Sequence, residues 1–227
     1  MRQLANYGDI RQVAVCAYCC GATKTRDHVP ARVLLDEPFP ENLAIVPACL
    51  DCNNAASVDE EYLACLVECV ICGTTEPHAL QRAKVRRLLA ERPRLQARLA
   101  AAHRQEDAQS VFSVELERVE YIVAKLARGH SLYELNEPMI AVPSSIWIAP
   151  LHLLGDQARE AFESTAGHSF ATWPEIGSRA MQRWVESGQK WIEVQSGRYR
   201  YLATADVVVR VRLVLSEYLA CEVRWDE

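Results

Sequence analysis

Two hydrophobic periods divide the chain. In "SVDEEYLACLVECVIC", starting at residue 57, apolar residues recur at helical spacing, and Cys65, Cys69 and Cys72 fall at i, i+4 and i+7 on the same face. The segment predicts a helix with Ser57 as N-cap, or one already begun at Asn53–Asn54. Asp59, Glu60 and Glu61 in its first turn suit the positive end of the helix dipole. In "PHALQRAKVRRLLAERPRLQARLAAAHR", residues 77–104, Leu88, Leu89, Leu95 and Leu99 supply an apolar stripe. Pro93 breaks it into two helices, because proline disfavours a helix interior and constrains the residue before it. A further helix is predicted over about 110–128, with Gly129 as its stop signal.

After "NEPMIAVPSS" the period shortens. "SIWIAPL" predicts a strand and "GDQAREAFEST" a short helix. "QKWIEV", "GRYRYLA", "DVVVRVRLVL" and "EYLACEVRW" are rich in β-branched and aromatic residues and predict consecutive strands. Ser196-Gly197 and the Thr204–Asp206 stretch mark turns. Alternation puts Arg210 and Arg212 on one face. The expected result is an antiparallel meander packed on helices.

Composition adds limits. The 227 residues suffice for one large or two small domains with a buried core. Half the residues are apolar and the net charge is −5, so the overall balance does not suggest a nucleic-acid binder. No apolar run of the kind a secretory signal needs lies near residue 1, and "IWIAPLHLL" is too short to cross a bilayer. A cytoplasmic protein with no membrane partner is expected, so the nine cysteines need a reason other than disulfides.

That reason is legible in their spacing. Cys16 and Cys19 form one C-x-x-C, and Cys49 and Cys52 a second. Each turn presents two thiolates, and two such turns complete the tetrahedron of a structural zinc. Cys20 adjoins Cys19, but the spacing favours Cys19. Cys65, Cys69 and Cys72 are expected in the core rather than on a second metal. Between the two pairs lies "TRDHVPARVLL", with Asp27 beside His28, followed by Asn42, the strand-like run Leu43–Val46 and, after the second pair, Asn53. The predicted order is knuckle, strand, loop, strand, knuckle, helix.

Over about residues 14–62 this order resembles the HNH endonuclease family, the ββα-metal fold. Cys16, Cys19, Asp27, His28, Pro30, Asn42, Cys49, Cys52 and Asn53 carry the resemblance. It implies metal-dependent hydrolysis of phosphodiester bonds in nucleic acid, with DNA the expected substrate. His28 would be the general base, as an imidazole titrating near neutrality can be. Asp27 and Asn53 would hold one Mg²⁺ or Mn²⁺, Asn42 would fix the loop and support His28, and the Cys₄ zinc would be structural. The sequence departs from the family where many members carry a Lys or His after the C-x-x-C-N; Ala56 and Ser57 stand there. "WPEIGSRAMQRW", "VQSGRYRY" and "SEYLACEVRW" resemble the uncharacterised C-terminal region that accompanies this subtype.

Charge distribution changes the picture once more. Residues 82–104 hold eight Lys and Arg against one acid, Glu91, so the remainder is strongly acidic. Arg82, Lys84, Arg86, Arg87, Arg94 and Arg98 are candidate phosphate contacts, or else a solvated helical face. Glu175, Arg179 and Arg183 fit a structural ion pair better than a phosphate site. His78, His103, His130, His152 and His168 are scattered and are expected at the surface or as satisfied core. The expected architecture is α+β: a zinc-stapled ββα-metal module (1–75), a basic helical segment (76–130) and a β-rich C-terminal domain (131–227), its antiparallel sheet packed with helices. That last part is open to homodimer or partner contacts. The alternatives are a non-catalytic zinc-dependent module binding nucleic acid or protein, and a nuclease subunit activated by a partner.

Overall fold

The computed structural model describes residues 4–8, 14–107, 109–165, 175–188, 190–205 and 207–226. His168, Gln189 of "QKWIEV" and Asp206 of the expected turn lie outside them.

The chain is mixed α and β. β1 (Thr25–Val29) pairs antiparallel with β2 (Ala44–Ala48), Asp27 opposite Val46 and His28 opposite Ile45. The strand's period of two sends Asp27 and Val29 inward and leaves Arg26 exposed and His28 half-exposed. α1 (Leu50–Ala55) and α2 (Ser57–Cys72) follow. The N-cap of α1 is Cys49, whose sulfur accepts from the Cys52 N–H at 3.3 Å. Ser57 is not a cap but the first residue of α2; its hydroxyl donates to the Asn54 carbonyl at 2.9 Å.

The basic segment forms α3 (Ala83–Glu91) and α4 (Pro93–Ala102), broken at Pro93 as expected. The helix expected from 110 begins later. Residues 103–112 form a hairpin of β3 (His103–Glu106) and β4 (Gln109–Phe112) instead. Its ends are tied by His103 stacked on Phe112 and by the Ser110 hydroxyl donating to Gly73 O, at the end of α2. α5 (Leu116–His130) then runs through Gly129 and continues as one wider turn to Leu135, ending at Asn136 with φ +62°. Gly129 is therefore not a stop. A Cβ there would lie 2.6 Å from Val29 Cγ2, so glycine lets β1 approach α5.

The C-terminal part adds β5 (Ser145–Pro150), α6 (Asp156–Glu163), α7 (Arg179–Ser187), β6 (Ile192–Gln195), β7 (Tyr199–Ala205), β8 (Val209–Leu215) and β9 (Leu219–Trp225). The strands form one antiparallel sheet in the order β5-β9-β8-β7-β6, a meander with β5 added at its edge. Arg210 and Arg212 do share a face, both reaching Glu222. The three stretches of sequence character do not pack as three separate cores. One cluster joins Leu35 and Val46, Leu63, Leu89 and Leu99, Ile122 and Leu126, and Tyr201, Leu213 and Val223. Among the described residues no helix is long and apolar enough to cross a membrane.

Candidate functional site

The four cysteines converge. The sulfurs of Cys16, Cys19, Cys49 and Cys52 all lie within 4.8 Å of one another. The Cys19 and Cys49 sulfurs are 3.8 Å apart. A tetrahedron with Zn–S bonds of about 2.3 Å has an edge of about 3.8 Å, so the donor set fits a structural zinc. Burial raises the Cys16 thiol pKa, but backbone hydrogen bonds from Cys49, Tyr18 and Cys19 outweigh it and bring it down to about 7, whereas burial and hydrogen bonds to Cys49 and Cys19 push Cys52 up; a bound zinc would draw the protons from the remaining thiols. The cluster pins the turn before β1 to the start of α1. By contrast Cys65 and Cys69 are fully buried, and burial pushes both thiols up to about 12, as neutral core residues.

Asp27 and His28 go to opposite faces. Asp27 turns inward, where Lys125 Nζ on α5 reaches its Oδ2 at 2.6 Å and the Tyr18 hydroxyl donates to the same oxygen at 2.8 Å. Lys125 also pairs with Glu60 of α2 at 2.5 Å. All three ionic side chains are nearly buried. Burial lowers the Lys125 pKa, but the charges of Glu60 and Asp27 outweigh it and raise it, so the ammonium is retained. Burial is also the largest cause of the upward shift at Glu60, with Lys125 opposing.

His28 is half-buried on the outward face. Burial and then the Arg32 charge lower its pKa, with Asp27 opposing, so the ring is neutral at pH 7 and able to accept a proton. Exposed Arg26 and Arg32 lie before and after it. Asn53 sits on α1, where its amide nitrogen donates to Thr25 Oγ1 at 3.2 Å and, at 3.4 Å, to the Arg26 carbonyl. Asn42 is half-buried just before β2.

A divalent ion on Asp27 and Asn53 does not fit this arrangement. The Oδ2 oxygen of Asp27 already carries an ammonium and a hydroxyl on the buried face of β1, while Asn53 uses its amide nitrogen to tie α1 to Thr25 and the Arg26 carbonyl. Among the described residues the four cysteines are the one cluster of three or more His, Cys, Asp or Glu side chains that can hold a metal.

The basic segment divides. Arg82 is a correction to the phosphate contacts expected. Its side chain is 2% exposed, bound to Asp36 at 2.8 Å and to the Val33 carbonyl, so it is structural. Lys84 donates to the Arg32 carbonyl and lies over the Phe39 ring. Arg86 and Arg87 are exposed on α3. Arg94 and Arg98 line a groove with Arg92, Arg118 and Ser57, although Arg98 also pairs with Glu115. Arg183 forms an ion pair with Glu134, a residue outside the three singled out in the sequence, while Arg179 lies over Tyr133 and donates to its carbonyl.

Sequence reasoning missed Lys125 and Tyr18 as partners of Asp27, and Glu60 as the second carboxylate on Lys125. A signal existed for Lys125: in "YIVAKLA" it falls on the stripe of Ile122, Leu126 and Gly129, where a charge needs a buried partner. Comparison with family models, with curated proteins and with solved structures found no match.

Proposed function

We propose that the chain is an HNH-like endonuclease that hydrolyses phosphodiester bonds in nucleic acid, with DNA the expected substrate. The observation that carries this reading is a neutral, half-exposed His28 on the outer face of a hairpin pinned by four cysteines. His28 would take the proton from the attacking water. Arg26 and Arg32 would offset the charge developing on the phosphate. Zinc, enclosed by four thiolates, has no open position and would hold the hairpin and α1 in place. The Mg²⁺ or Mn²⁺ that the family resemblance implies enters no step, because Lys125 and Tyr18 already hold the Asp27 Oδ2. The exposed Arg86, Arg87 and Arg94 would add affinity for the backbone without reading sequence.

Zinc-loaded wild type is expected to nick supercoiled plasmid, and His28→Ala, with the same zinc content, to lose activity by about 100-fold or more. Equal cleavage by both proteins would remove His28 from the mechanism.

The Lys125 contact favours a second reading: a zinc-dependent module that binds nucleic acid or protein without cutting, or a nuclease subunit held silent until a partner binds. It predicts zinc-dependent DNA binding by wild type and His28→Ala alike, with no nicking by either.

A further inference from the structure

The centre of the molecule holds a charged group that the proposed hydrolysis does not use. Asp27 comes from β1, Glu60 from α2, and Lys125 from α5. The ammonium lies 2.6 Å from one carboxylate and 2.5 Å from the other, with its side chain 5% exposed. Two carboxylates from separate elements meeting at one point are the arrangement that ordinarily gathers a divalent cation. Here a lysine from a third element already stands at that point.

The lysine is not free to leave. Its neighbours Ile122, Leu126 and Gly129 are packed in the core, and β1 is seated on Gly129 through Val29. The Tyr18 hydroxyl closes the other approach to Asp27 Oδ2, and the Tyr18 ring lies 5.1 Å from the ammonium. A Mg²⁺ ion would need room for its waters and would meet a like charge at hydrogen-bond range. Moving the lysine away would leave an ammonium in the core without its partners.

We propose that Lys125 is a built-in cation: its ammonium fills the place between Asp27 and Glu60, and the chain binds no Mg²⁺ or Mn²⁺ at Asp27. The inference rests on the nuclease reading only for the choice of where a divalent ion would be sought. The ammonium holds the inward side of β1 against α2 and α5.

The test is Mn²⁺ titration of the zinc-loaded full chain, followed by electron paramagnetic resonance of free Mn²⁺. Wild type is expected to bind no Mn²⁺ that Asp27→Asn abolishes. Lys125→Ala, which opens the space and leaves both carboxylates, is expected to gain one Mn²⁺ per chain, lost again when Asp27→Asn is added. A wild-type Mn²⁺ site that Asp27→Asn removes would overturn the proposal. So would a folded, zinc-loaded Lys125→Ala protein that gains none. Should Lys125→Ala fail to fold, the comparison of wild type with Asp27→Asn still decides. Cleavage is not read in this experiment, so loss of the nuclease reading and loss of the built-in cation are separate outcomes.

Discussion

At the scale of single residues, His130 makes the fold sensitive to pH although it is fully buried. Its Nε2 meets the Tyr199 hydroxyl at 2.8 Å, its ring stacks on Tyr201 at 3.7 Å between centroids, and its Nδ1 has no partner among the described residues. Burial lowers its pKa from 6.5 to about 3. A depressed folded-state pKa means the fold favours the neutral ring. Its contribution is complete above the unfolded value of 6.5 and is lost as pH falls toward the folded value of about 3. Urea unfolding at stepped pH should therefore show stability falling below pH 6.5. The slope from this one group is at most about 1.4 kcal/mol per pH unit. His130→Gln should remove that slope before the carboxylates begin to titrate; an unchanged slope would assign it to other groups. The sequence placed His130 among scattered histidines of surface or core, and only its partners, far along the chain on β7, reveal which. The zinc cysteines were legible because C-x-x-C spacing is local and chemically specific. The fate of Asp27 was not, because it depends on Lys125, which local sequence does not bring near.

At the scale of elements, periodicity was informative wherever one face met a core. It served for α2, for the break at Pro93, and for every strand of the C-terminal meander. It failed at about 110–115, where the second strand of a short hairpin leaning on the end of α2, and the loop after it, replace the start expected of α5. Glycine was the other misleading signal. At position 129 it permits contact rather than ending the helix, and the helix continues for a further turn. Gly129→Ala should raise local helix propensity yet lower stability, since the added methyl meets Val29 at 2.6 Å. A loss of about 1–3 kcal/mol in urea unfolding is expected for such overpacking. Pairing it with Val29→Ala should recover part of that loss. A stabilised Gly129→Ala protein would show that α5 and β1 are less closely seated.

At the scale of the whole molecule, the question is whether the zinc end can unfold by itself. The sequence suggested three consecutive parts, but side chains of all three share one core. Asp36 shows how they are joined. Its carboxylate accepts from Arg82 of the basic segment and Arg198 of the meander, and its backbone N–H and carbonyl are both bonded by the Gln195 side chain. Burial raises its pKa, but the hydrogen bonds and charge of Arg82, and then Arg198, outweigh this and lower it, so the clasp holds at neutral pH. Loss of zinc would free two turns that fix β1, β2 and α1, and Val29 and Val46 would then lose their places against α2 and α5. Because the same core carries the meander, the disturbance should travel. Removing zinc with a chelator that competes for thiolate-bound metal is expected to lower the melting temperature of a single calorimetric transition, and zinc addition to restore it. Two transitions after chelation, with the later one unmoved, would mean that the sheet folds independently and that the clasp at Asp36 is incidental. Asp36→Asn separates these outcomes further. If the clasp couples the parts, this variant should cost about 2 kcal/mol in urea unfolding and split the transition only once zinc is gone.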